Sequence, residues 1–179
     1  GIEVEIIGLD TRYFRSKLKG RKNAYKQNKD LEATILGQNQ WAWLESSINN
    51  SIADIIVILS SIQILATNHP YEKWDNFPLE RERLLLLLAN ASKNKTIIAV
   101  SGDRHKSGIY QNENFFEITA SSLNKPSSER AETDPLLLGE IYPEENFGTL
   151  NIEPNKNRIT LSTHDRDGKV INSKIINIY

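Results

Sequence analysis

Two side chains two positions apart open the chemical reading: Asp103 and His105, within Ser101-Gly102-Asp103-Arg104-His105. A carboxylate is a hard oxygen donor and an imidazole a borderline nitrogen donor. Aimed at one point, the two make half of a metal site. An extended backbone would aim them the same way, because side chains alternate with period two. The unbroken apolar run Thr96-Ile97-Ile98-Ala99-Val100 before them suits a buried parallel strand, and Ser101-Gly102 signals the turn that ends it. Ligands of open α/β sheets gather beyond the carboxyl ends of strands, where this pair falls. The bland alternative is a solvated turn in which Asp103 bonds backbone amides and His105 is idle.

The elements that must position the pair follow from periodicity. Ile2 to Leu9 alternates apolar with acidic and then turns apolar, which predicts a strand. Gln38 to Asn50 predicts a helix whose core stripe is Trp41, Leu44 and Ile48. Asp54 introduces a second buried strand, Ile55 to Leu59, and Pro78 suits the first turn of a second helix. Glu80 and Glu82 favour that helix's N-terminus, and the leucines at 84 to 88 are expected to bury it on most sides. With the strand at 96–100 the order is β-α-β-α-β, which argues for a parallel α/β sheet with right-handed crossovers. Beyond it, Phe115 to Thr119 reads as a strand and Ala120 to Glu145 as a long Ser/Pro/Glu-rich surface loop. Three antiparallel strands close the chain, at Asn146–Ile152, Arg158–Ser162 and Lys169–Tyr179, with Asp167-Gly168 as the last hairpin turn. No linker divides the chain, so residues 1–179 are expected to form one domain.

Composition narrows the classes. With 39% hydrophobic and 25% charged residues, the chain reads as an ordinary soluble globular one. A net charge of −1 gives no sign of a generally basic nucleic-acid binder. The absence of cysteine removes thiolate ligands, leaving carboxylate, imidazole, amide and water for any metal. Lys17, Lys19, Arg21, Lys22, Lys26 and Lys29 make Ser16 to Asp30 basic. That stretch reads as a solvated loop or as a phosphate-attracting rim. The chain opens on Gly1 and holds no methionine, so it is expected to be a processed protein or a piece of one. No membrane span is visible, Leu84 to Ala89 being far too short.

Several motifs then fall into a familiar order. Leu9-Asp10-Thr11-Arg12-Tyr13-Phe14-Arg15 resembles a signature of the alkaline phosphatase D (PhoD-like) family of calcineurin-like metallophosphoesterases. Leu36-Gly37-Gln38-Asn39-Gln40-Trp41-Ala42-Trp43-Leu44 is similar to that family's Gly-x-x-Gln-x-x-Trp-Leu helix start. Ser60-Ser61-Ile62-Gln63, Trp74-Asp75-Asn76-Phe77-Pro78 with Arg81, Ser101 to His105, Glu117 to Ser122 and Asn146-Phe147-Gly148 follow in the family's order.

The resemblance implies the C-terminal half of a four-layer αββα sandwich that carries a two-metal site, calcium, iron or similar ions being the family's cofactors. It implies a metal-dependent phosphoric ester hydrolase, acting on mono- or diesters through metal-activated hydroxide, and export from the cytoplasm. Asp103 and His105 would be this chain's metal ligands, with proton transfer as the alternative role of His105. Arg12 would clamp phosphate, for which its fork is suited, or form an ion pair with Asp10. Gln63 would orient a water or substrate oxygen. The family's N-terminal motifs are not identifiable here, so the expected partners are a phosphate ester substrate and the N-terminal half of the same fold. The competing reading is a remnant or phosphate-binding subunit without turnover. His69 lies too far into its loop to stand for the family's strand-end His. His164, in Thr163-His164-Asp165-Arg166, reads as part of a solvated turn, and Glu117 as structural.

Overall fold

The apolar runs of the sequence become the central strands of a six-stranded sheet. Strands β1 (Val4–Leu9), β4 (Ile55–Ser60) and β5 (Thr96–Ser101) lie side by side and parallel. The computed structural model describes residues 1–127 and 132–178. Strand β7 (Phe115–Ala120) pairs parallel with β5, and the antiparallel β6 (Ser107–Asn112) and β8 (Leu137–Tyr142) complete the order β1-β4-β5-β7-β6-β8.

Helices α1 (Gly37–Asn50) and α2 (Pro78–Ala91) cover one face of this sheet. Trp41, Leu44 and Ile48 of α1 are all buried, as their spacing requires, and Leu84 and Leu88 of α2 join Ile56, Ile58, Ile97 and Ala99 in the same core. The other face packs on a three-stranded antiparallel sheet, ordered β11 (Val170–Asn177), β10 (Arg158–Asp165), β9 (Asn146–Glu153). There Ile55, Val57, Ile98 and Ile118 meet Ile159, Leu161 and Ile176. Helix, sheet and sheet form three successive layers, and the central strands read as continuous apolar runs because both faces are covered.

Several expectations are corrected. The basic stretch holds a short hairpin, β2 (Lys19–Arg21) with β3 (Ala24–Lys26), turning at Asn23 with φ +61°. Helix α2 is buried on one side only, for Leu86 is 60% exposed. Strand β6 lies where no strand was expected: Ser, Gly, Gln and Asn look like turn composition, yet Gly108 is needed there. A Cβ on it would sit 2.8 Å from Ile141 Cδ1 of β8. Strand β8 itself falls inside the expected surface loop of 120–145, of which residues 128–131 lie outside the described residues. His164 belongs to the end of β10, not to the turn, stacking on Phe147 at 4.8 Å and bonding Thr149 Oγ1 at 2.9 Å.

Candidate functional site

Three loops meet at the carboxyl ends of the parallel strands. The first leaves β1 at Asp10. Gln40 of α1 fixes Asp10 by both backbone groups, its Oε1 accepting from the Asp10 N–H at 2.8 Å and its Nε2 donating to the Asp10 carbonyl at 2.9 Å. The Asp10 carboxylate then accepts the N–H groups of Arg12 and Tyr13, at 2.8 and 2.9 Å, closing a tight turn. The amides of Tyr13 and Arg12 hold its pKa below the ordinary carboxylate range. This turn sends Arg12 across the strand ends, where Nη1 reaches Glu72 at 2.5 Å and Nη2 reaches Asp103 Oδ2 at 3.1 Å. Arg12 therefore does not pair with the Asp10 carboxylate. Its partners come from the two other loops.

The second loop, residues 61–77, is anchored from inside. Glu117 of β7 is completely buried and its carboxylate accepts the N–H groups of Ile64 and Leu65 at 2.9 and 2.6 Å. Arg81 of α2 donates to the carbonyls of the same two residues at 2.6 and 2.8 Å. The Ile64-Leu65 segment is thus gripped from both sides. Burial pushes the Glu117 pKa upward, against the opposing pull of the Ser101 hydroxyl, the two amides and Arg81. Gln63 is buried in the same layer, 1% exposed, and donates to Thr119 Oγ1 at 2.9 Å. Expected at the substrate, it lies beneath the site and fastens the loop to β7. His69 is buried too, with Nδ1 accepting the Tyr71 N–H at 3.2 Å. Desolvation, then Arg104, Lys73 and Lys106, push its pKa down to about 2, so it is a neutral structural imidazole.

The third loop carries Asp103 and His105. It is not extended: Asp103 has φ +64° and His105 φ +55°, both left-handed, a conformation that costs an L-residue on the order of 1 kcal/mol. Arg104 turns inward, donating to Glu132 Oε2 at 2.5 Å with its guanidinium 4.8 Å over the Tyr71 ring. Asp103 and His105 line an outer cleft of about 470 Å³ with Lys22, Tyr25, Tyr71 and Lys125. Ser121 Oγ accepts the N–H groups of both Arg104 and His105 at 3.0 Å and holds the loop in this shape. Glu72 is the residue that sequence reasoning missed. It bridges Arg12 and Arg15, and a lone acid between Tyr71 and Lys73 carries no motif that could have singled it out.

The sequence profile of the PhoD-like phosphatases matches residues 1–170. The chain belongs to the PhoD-like phosphatase family. Alkaline phosphatase D of Bacillus subtilis (strain 168) is 25% identical over 153 residues, covering 72% of this chain and 26% of its own length. The solved structure of PhoD matches 98% of this chain and 39% of its own at 19% identity, with a TM-score of 0.76. A purple acid phosphatase from yellow lupin, PPD1, matches 79% of this chain and 28% of its own at 14% identity, with a TM-score of 0.60. The fold is that of the calcineurin-like metallophosphoesterases. This PhoD-like chain spans about a quarter of the length of the curated relative it matches.

The donors present do not make up a metal centre. Asp103 is already ion-paired, His105 adds one nitrogen, and among the described residues no three His, Asp or Glu side chains gather closely enough to hold a metal ion. A structural or catalytic centre takes at least three protein ligands. Among the described residues no helix is long and apolar enough to cross a membrane.

Proposed function

We propose that this chain is part of a phosphoric ester hydrolase, and that Arg12, Asp103 and His105 are its contribution to the reacting site. The observation that carries the reading is the convergence of an arginine fork on a loop bearing a carboxylate and an imidazole, at the carboxyl edge of a PhoD-like sheet. Arg12 spends one N–H on Glu72 and one on Asp103. Its remaining donors take the phosphoryl oxygens, and Glu72 and Asp103, which line the cleft, hold the guanidinium between them. Asp103 and His105 serve as two of the ligands of the metal ions that the family likeness implies. The alternative role of His105 is to give a proton to the leaving oxygen of the ester. The remaining ligands come from sequence outside this chain. Gln63 acts only through the loop it fastens.

The partner that supplies those ligands packs against β1. That strand is an open sheet edge, and its Ile6 is 65% exposed, with Val4 beside it and Leu59 of β4 also exposed. The whole protein is exported, as its family implies. A second reading, phosphate binding without turnover, is favoured by the shortage of metal donors.

Hydrolysis of a chromogenic phosphomonoester and a chromogenic phosphodiester by this chain joined to the sequence that supplies the remaining ligands, with added calcium or iron, separates the readings. Turnover that falls about 100-fold or more in Asp103→Ala and His105→Ala supports the hydrolase. Phosphate binding without turnover by that joined protein supports the second reading. Neither binding nor turnover by the folded, joined protein would overturn both.

A further inference from the structure

Residues 17–29 hold six Lys and Arg side chains and no acid, in a chain whose net charge is −1, so the remaining residues together carry −7. All six, Lys17, Lys19, Arg21, Lys22, Lys26 and Lys29, are exposed. Among the described residues none of them forms an ion pair. Lys19 and Lys26 stand directly opposite each other across the β2–β3 ladder, an arrangement that costs stability. The fold offers these cations nothing in return, which points to a partner outside it.

The stem of the hairpin adds a second feature. Its outgoing and returning legs are tied where Ser16 N–H donates to the Thr34 carbonyl at 2.8 Å and Thr34 N–H to Ser16 Oγ at 3.0 Å. On the outgoing leg Tyr13 is 82% exposed and packs edge-on against Phe14, which is itself exposed, and on the returning leg Leu31 is 87% exposed. Large apolar side chains left in water at the stem of a dense cationic strip, with Asp30 and Glu32 the only acids among residues 13–34, are what an anionic bilayer surface binds. The apolar groups enter the acyl boundary and the cations meet the headgroups. A soluble polyanion would use the cations and leave Tyr13 and Leu31 without a role. We propose that the 13–34 excursion, led by the β2–β3 hairpin, docks on a lipid surface bearing anionic headgroups. This inference stands independently of turnover at the neighbouring cleft.

Co-sedimentation of the chain with vesicles tests it, using phosphatidylcholine alone and phosphatidylcholine mixed with phosphatidylglycerol, with soluble polyphosphate as competitor. Binding is expected only to the mixed vesicles, weakening as salt rises. Lys19→Gln combined with Lys26→Gln should weaken it about 25-fold, from roughly fivefold per basic side chain. Tyr13→Ser combined with Leu31→Ser should weaken it at constant charge. These positions are exposed, and circular dichroism checks that each variant is folded. No binding to the mixed vesicles overturns the proposal. Binding that ignores the Tyr13 and Leu31 changes and is abolished by polyphosphate also overturns it, in favour of a polyanion site.

Discussion

Glu117 and Asp103 carry the same chemical group a few residues from the ends of neighbouring strands, and the molecule treats them in opposite ways. Glu117 is fully buried, and both its oxygens are used by the amides of Ile64 and Leu65. Glu80 repeats the pattern in the first loop, accepting from Thr34 Oγ1, the N–H groups of Ile35 and Leu36, and the Trp41 indole. Asp103 sits on a left-handed loop, half exposed, and meets one guanidinium. Buried carboxylates with both oxygens engaged fix the backbone of the loops around the site. The exposed one keeps capacity free for a ligand. The difference separates scaffold from site without any appeal to motif.

The contrast is sharpest in stability. Glu117→Gln or Glu80→Gln turns an acceptor of loop amides into a group that also donates, leaving buried N–H groups unpaired. Each is expected to cost about 3 kcal/mol or more of unfolding free energy, read by urea denaturation. A loss below about 1 kcal/mol would break the scaffold half of the comparison. An intermediate effect is expected from His69. Its imidazole stays neutral in the fold down to a pKa of about 2, whereas the unfolded chain protonates it below about 6.5. Stability should therefore fall as pH drops below about 6.5, at up to about 1.4 kcal/mol per pH unit from this group alone. His69→Gln should flatten that acid limb in a pH series of denaturation curves. The smallest effect belongs to the exposed pair: Arg12→Ala and Asp103→Asn should each change stability by less than about 1 kcal/mol. Asn also tolerates the left-handed backbone at position 103.

The same contrast explains what the sequence made legible. β4 and β5 were readable as unbroken apolar runs, and the α1 stripe of Trp41, Leu44 and Ile48 because burial repeats with the period of the helix. β6 was not, because Ser107 and Gly108 are small for the sake of close packing and so imitate a turn. Asp103, His105 and Arg12 stood out by type and family order, and the structure brings Arg12 onto Asp103 and sets Asp103 and His105 in one cleft. The left-handed backbone that orients the pair left no trace in residue type, since neither position is glycine. Gln63 shared the motif order with them, but only the packing reveals that it faces Thr119 from below. Glu80 read as a helix-dipole residue and Glu72 as nothing at all, because partners 44 and 60 residues away in sequence cannot be seen locally.

The central claim is that the Arg12–Asp103–His105 corner is where phosphate binds. Titrating the isotope-labelled chain with inorganic phosphate, followed by NMR, tests it most directly. The account predicts shifts clustered at Arg12, Asp103 and His105 that disappear in Arg12→Ala, while the amides of Ile64 and Leu65 stay put. Shifts that are absent, or that persist unchanged in Arg12→Ala, would contradict it.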